Sequence, residues 1–334
     1  MKPSSSTTVA RYVVIAIVLL IAAAAYYWGA YLPSMRKLPI PTDPPAFGVT
    51  YLYSFGSAFM DTTSPTRVVK QDIEKIKSAG FTCVKVNFPF AHTTTYANMI
   101  ADAAAEKGLY PIGQLIGHEE KPTNRAFTED ELRNWEQFVR AEVRRNKDRI
   151  YFWEIWNEPA MTQLRFRYGT PSEYLDLLRR SYAIIKEENP SARVIVTADY
   201  TDTEAEAFTN EFLNLGGTAY FDYLSFHPYN AIDPDARLNL EETIAQEKAL
   251  SEKYAKPLWI TEIGYPDSDS DKTRQAEIAA QLFTAASQSR IPIVWFHWSD
   301  ARVSSVDGKT GWGLIREDGT HKPVYDEIKA YIGQ

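Results

Sequence analysis

Two kinds of hydrophobic pattern divide the chain. Residues Tyr12–Leu32 are almost wholly apolar and carry no charge, a run long enough to cross a hydrocarbon core of about 30 Å. Lys2 and Arg11 precede it and Arg36 and Lys37 follow it. Tyr26, Tyr27, Trp28 and Tyr31 crowd its C-terminal end, where an interfacial aromatic belt would sit. The segment reads as an uncleaved transmembrane signal anchor behind a short tail, residues 1–11. A cleaved signal peptide, with its apolar stretch at Val13–Leu20 and small residues at Ala22–Ala25, is the alternative. Five prolines then mark residues 33–45 as a stiff, extended linker. The folded domain is expected to begin near Ala46 and to run to Gln334.

Beyond Ala46 the pattern changes to short apolar runs alternating with longer runs at helical spacing. The strand candidates are Phe47–Leu52, Thr82–Asn87, Tyr110–Leu115, Ile150–Trp156, Arg193–Thr197, Tyr220–Phe226, Pro257–Glu262 and Ile293–Trp298. Val68, Val69, Ile73 and Ile76 give Pro65–Ser78 a helical apolar stripe. Leu132, Trp135, Phe138, Val139 and Val143 do the same for Glu129–Asn146. Pro171–Glu188, Leu238–Tyr254, Asp271–Gln288 and Pro323–Tyr331 behave likewise. Eight such βα units predict an α/β fold, a (β/α)8 TIM barrel. An open doubly wound sheet would want a glycine-rich phosphate loop after the first strand, and Thr50–Gly56 contains none.

Composition narrows the function classes. The net charge is −7 without long basic runs, which argues against nucleic acid as a partner. Cys83 is the lone cysteine; it excludes an internal disulfide and reads as a buried structural thiol. Aromatic residues make up 13% of the chain, enough to fill a core and still offer faces on which sugar rings could stack. Pro266–Asp271 alternates Asp and Ser like the start of a calcium loop, but Lys272 and Ile278 stand where glycine and glutamate would be needed. It reads as a polar loop and helix cap. His118-Glu119-Glu120 reads equally as cleft lining or solvated loop. No metal and no cofactor are expected, and the protein is expected to be a monomer.

In such a barrel, chemistry sits at the C-terminal ends of the strands. The fourth predicted strand runs into Trp156-Asn157-Glu158-Pro159, and the seventh ends Thr261-Glu262-Ile263-Gly264. A strand-end glutamate taken alone is an ordinary solvated residue. Two of them facing across a barrel mouth are what glycosidic cleavage needs, one protonated to release the leaving oxygen and one ionised to meet the anomeric carbon.

These two motifs resemble the acid/base and nucleophile strands of glycoside hydrolase clan A. Arg316–Tyr325 is similar to the tail that follows the last strand in many members. Within the clan the resemblance is greatest to family 39, with family 5 second. It implies retention through a covalent glycosyl-enzyme, with Glu158 as acid/base and Glu262 as nucleophile, acting on a polysaccharide or oligosaccharide substrate. It also implies substrate-binding roles for Asn157 toward the sugar 2-hydroxyl, for His227 and Tyr229 after the sixth strand, and for Trp298 as a sugar platform. The clan usually carries an arginine on the second strand, where this chain has Val84-Lys85-Val86-Asn87. Lys85 could supply the charge but not the planar fork, and Asn87 part of the hydrogen bonding. A transglycosylase, or a non-catalytic carbohydrate-binding or scaffold protein of polysaccharide export, would use the same architecture. The apolar N-terminal segment leads to the expectation of a membrane-anchored domain lying outside the cytoplasm.

Overall fold

The structure, a computed structural model, describes residues 37–52, 65–117, 125–161, 168–198, 203–232, 238–267, 273–301 and 309–333. All of them fall within one compact unit, Lys37–Gln334. Eight parallel strands close a barrel in chain order: β1 Phe47–Thr50, β2 Cys83–Pro89, β3 Tyr110–Ile116, β4 Phe152–Ile155, β5 Arg193–Thr197, β6 Tyr223–Phe226, β7 Leu258–Ile263 and β8 Ile293–Trp295. Closure is direct, with β1 pairing β8 through Phe47 and Ile293. The described helices are α1 Pro65–Ser78, α2 Thr95–Glu106, α3 Glu129–Asn146, α4 Pro171–Glu188, α5 Thr203–Asn214, α6 Leu240–Tyr254, α7 Arg274–Ser289 and α8 Pro323–Ile332. Thr128, Thr170 and Asn239 cap α3, α4 and α6 with reciprocal capping boxes, which fixes where those helices start.

The barrel interior is layered by period-two alternation. Cys83, Ile112, Phe152, Ile195, Tyr223, Trp259 and Val294, one from each of β2 to β8, form an apolar cluster separate from the barrel–helix core. On β1 the matching place is Gly48, where a Cβ would lie 2.5 Å from the Cys83 sulfur. Two residues further along stand Thr50, Lys85, Gln114, Glu154, Thr197, Ser225 and Thr261, all buried and all polar. Polar residues in such a layer must satisfy one another. Cys83 is buried and unpaired, and burial pushes its thiol well above the usual range.

Leu38 belongs to the lower apolar cluster and is 2% exposed. Its N–H donates to the Asp148 carbonyl at 3.0 Å, and its carbonyl accepts the Tyr151 hydroxyl at 3.0 Å. So the proline-bearing stretch is docked on the barrel at this point rather than free. Among the described residues no helix is long and apolar enough to cross a membrane; the apolar segment Tyr12–Leu32 lies outside the described residues, as do His118-Glu119-Glu120 and most of the Asp/Ser run after β7.

Candidate active site

Each candidate glutamate reaches the mouth by a departure from regular strand geometry. By alternation Glu262, next to inward-facing Thr261, would face away from the interior. The β7–β8 register shifts between Ile260 and Ile263, and such a bulge re-aims a side chain. Glu262 consequently meets Lys85 and Tyr229: the Lys85 ammonium donates to Glu262 Oε2 at 3.3 Å and the Tyr229 hydroxyl to Oε1 at 3.1 Å. Beyond β4, Trp156 and Glu158 hold left-handed backbone, with φ of 71° and 45°. That conformation costs a non-glycine residue roughly 1–2 kcal/mol, and it clusters at functional sites. The turn sets Glu158 Oε1 2.7 Å from His227 Nδ1. One donor atom each from Glu158, His227 and Glu262 lie within 4.8 Å of one another. The trio is close enough to gather a cation, but the Lys85 ammonium beside Glu262 opposes one.

Beneath the pair lies a group with no counterpart among the sequence expectations. Glu154 is fully buried, and its Oε2 pairs with Lys85 at 2.7 Å. Its Oε1 accepts hydroxyls from Thr197 at 2.9 Å, Ser225 at 3.1 Å and Thr261 at 2.6 Å. Burial pushes the Glu154 carboxyl up, yet the Lys85 charge and contact with His227 outweigh it and hold the group well below the usual carboxylate range. Burial likewise pulls Lys85 down, but the charges of Glu154 and Glu262 raise it overall. The floor of the site is therefore a carboxylate–ammonium–carboxylate row.

Hydroxyl counting fixes the His227 tautomer. Thr261 gives its one proton to Glu154, an acceptor only, so it must accept at its remaining lone pair from His227 Nε2, 3.0 Å away. Nε2 thus carries hydrogen, and Nδ1 faces Glu158. The proton between Nδ1 and Glu158 Oε1 belongs to the pair. Burial works against a charged His227, but its contacts with Glu154 and Glu158 and the nearby Glu262 raise it to about 10.

The remaining expected residues divide. Asn157 is buried beside Glu158, and its amide oxygen accepts from Gln114 Nε2 at 2.9 Å. Asn87 stands one pleat above Lys85, half-buried, with no hydrogen-bond partner for its side-chain oxygen among the described residues. Tyr229 opens the turn after β6 and is half-buried. His227 and Trp298 are more enclosed than sugar-contacting residues were expected to be. Both His227 ring nitrogens are committed to protein groups, Nδ1 to Glu158 and Nε2 to Thr261. Trp298 is 1% exposed, packed edge-on against Tyr325 of α8. Strand β8 ends at Trp295, three residues before the expected end, so alternation does not carry an inward direction to Trp298. A half-buried aromatic next to Tyr229 is Trp312, edge-on to Tyr229 at 6.0 Å and to Phe296 at 5.7 Å. Its position in a loop outside every predicted strand hid it from strand-end reading.

Residues 131–324, more than half the chain, match the family model for the glycosyl hydrolase catalytic core. The chain belongs to that family of glycoside hydrolases. A β-xylosidase of Caldicellulosiruptor saccharolyticus is 26% identical over 201 residues, 54% of this chain and 41% of that protein. The chain therefore spans less than half the length of this curated relative. Among solved structures, a family 39 glycoside hydrolase from the gut symbiont Bacteroides cellulosilyticus superposes with a TM-score of 0.66 at 20% identity, over 89% of this chain and 64% of that one. A GH5_18 protein of Streptomyces cattleya gives 0.66 at 18%, over 88% and 80%. Xylanase 10B of Thermotoga maritima gives 0.61 at 19%, over 86% and 95%. These likenesses show a shared barrel fold.

Proposed function

We propose that the domain is a retaining glycosidase that cleaves β-linked polysaccharide or oligosaccharide, with Glu158 as acid/base and Glu262 as nucleophile. The observation that carries this is the close approach of the two carboxylates, with one oxygen of each within 4.8 Å of the other. Retention calls for about 5–5.5 Å, and inversion for about 6.5–9.5 Å to seat a water. The surroundings divide the roles. Glu262 receives an ammonium and a phenol hydrogen bond, which hold its carboxyl group in place as a nucleophile needs. His227 Nδ1 lies 2.7 Å from Glu158 Oε1, within reach to pass it the proton that an acid must give.

In the first step Glu262 bonds to the anomeric carbon as the glycosidic bond breaks, and the proton at Glu158 goes to the leaving oxygen. In the second, Glu158 takes a proton from water, whose oxygen displaces Glu262 and releases the sugar. Asn157, its amide oxygen held by Gln114, has its NH2 end to offer a sugar hydroxyl; the unpaired Asn87 oxygen can accept from another. The similarity to a β-xylosidase makes xylo-configured substrates the first to try. The apolar segment Tyr12–Leu32 would tether the domain to a membrane and put it outside the cytoplasm, where polysaccharides are met. The test is Glu262→Ala. Turnover should fall on the order of a thousandfold or more, the scale of removing a nucleophile that acts as a unit with its partner; an unchanged rate would remove Glu262 from that role.

A further inference from the structure

We propose that Glu154 is the positioning residue for both reacting carboxylates, one hub beneath the site that holds Glu262 through Lys85 and Glu158 through Thr261 and His227. The inference rests on the roles proposed for Glu158 and Glu262. Its geometry is continuous. From Glu154 Oε2 the row runs 2.7 Å to the Lys85 ammonium and 3.3 Å on to Glu262 Oε2. From Glu154 Oε1 it runs 2.6 Å to the Thr261 hydroxyl, 3.0 Å to His227 Nε2, and from His227 Nδ1 2.7 Å to Glu158 Oε1. Every link as far as His227 has a fixed direction, because an ionised carboxylate only accepts and an ammonium only donates.

Lys85 and Glu154 are 0% exposed. A buried ion pair is weak support for stability, since apolar residues of similar volume often do as well. Nor does a buried lysine need two carboxylates to remain paired. What the arrangement adds is aim. Lysine is a flexible point charge without the fork that lets arginine grip a carboxylate from one side. Held from below by Glu154, whose other oxygen is pinned by hydroxyls from β5, β6 and β7, the ammonium has one place to stand, and that place is under Glu262. Through its second arm the hub sets the His227 tautomer, leaving Nδ1 to share the proton of Glu158. Glu154 touches neither sugar nor reacting atom in this scheme; it acts through Lys85 and Thr261.

The test separates aim from fold. In the full chain, Glu154→Gln with Lys85→Met removes both buried charges together and keeps the volume and the acceptor for the three hydroxyls. The probes are dinitrophenyl β-glycosides of xylo, gluco and manno configuration, fluorinated at the carbon beside the anomeric centre. Glu262 oxygen bonds to the anomeric carbon, dinitrophenolate leaves with the bonding electrons, and the slow second step leaves a mass tag on Glu262. The leaving group needs no proton, so the measurement reads the nucleophile arm alone. The double variant should melt cooperatively near the wild-type temperature and bind the probe within about threefold, while tagging slows at least about tenfold, the signature of an interaction made in the transition state. Thr261→Val, which cuts the second arm, should slow turnover of glycosides whose leaving groups need a proton more than it slows tagging. A folded double variant tagged at the wild-type rate would overturn the role of Glu154. If the double variant melts below the assay temperature, Glu154→Gln alone, in which Lys85 keeps Glu262 as partner, decides by the same readout. A wild-type chain tagged elsewhere, or by none of the three probes, would instead remove the reading of Glu262 and this inference with it.

Discussion

Two buried histidines titrate in opposite directions because their neighbours differ. His227 lies between carboxylates and is raised to about 10, although burial alone would lower it. Among the described residues no carboxylate acts on His297; burial, with help from the Lys322 charge, lowers it to about 3. His297 Nδ1 accepts the Ser299 N–H at 3.3 Å, and its Nε2 has no partner among the described residues. Between the ordinary value of 6.5 and about 10 the folded chain holds a proton at His227 that the unfolded chain releases, so stability falls as pH rises through that window. Between 6.5 and about 3 the unfolded chain takes a proton that folded His297 refuses, so stability falls as pH drops. Denaturant unfolding across pH should trace both slopes. His227→Gln should flatten the alkaline one and His297→Asn, which keeps an acceptor for Ser299, the acid one; slopes unchanged in both variants would contradict the assignment. The sequence made Glu158 and Glu262 legible through the motifs around them. Glu154 was not legible, because its partners come from β2, β5, β6 and β7, and barrel closure alone brings them together.

At the scale of elements, a long polar face opposite an apolar stripe made α1, α3 and α4 readable to the residue. By contrast α2 buries Ala97, Ala101, Ala103, Ala104 and Ala105 along with Asn98 and Ile100, a composition with little polar contrast. The ends of the strands were less legible than their cores. Register shifts and early termination depend on neighbouring strands, which is how Glu262 of β7 meets Lys85 and Trp298 falls beyond the end of β8. The stretch before β1 carried its information in one residue: Leu38, among prolines, closes the lower end of the barrel. Leu38→Ala should cost about 2–5 kcal/mol, the range for truncating a buried leucine, read from denaturant midpoints. A loss below about 0.5 kcal/mol, as at an exposed site, would mean the docked segment contributes nothing.

Across the whole molecule the barrel is graded from apolar to polar along its axis, with Leu38 and the aromatic floor at one end and the carboxylate pair at the other. That grading was present in β2 to β7 as a residue of the lower cluster followed two places on by a polar one. If Tyr12–Leu32 anchors the chain, the full-length protein should stay with membranes through alkaline extraction, and removal of residues 1–36 should release it; extraction of the full chain into the soluble fraction would contradict the anchor. The central claim is the double displacement at Glu158 and Glu262. Proton nuclear magnetic resonance of the first sugar released from a β-glycoside, recorded before mutarotation, tests it most directly. The account predicts the β-anomer. An α-anomer formed first would contradict it.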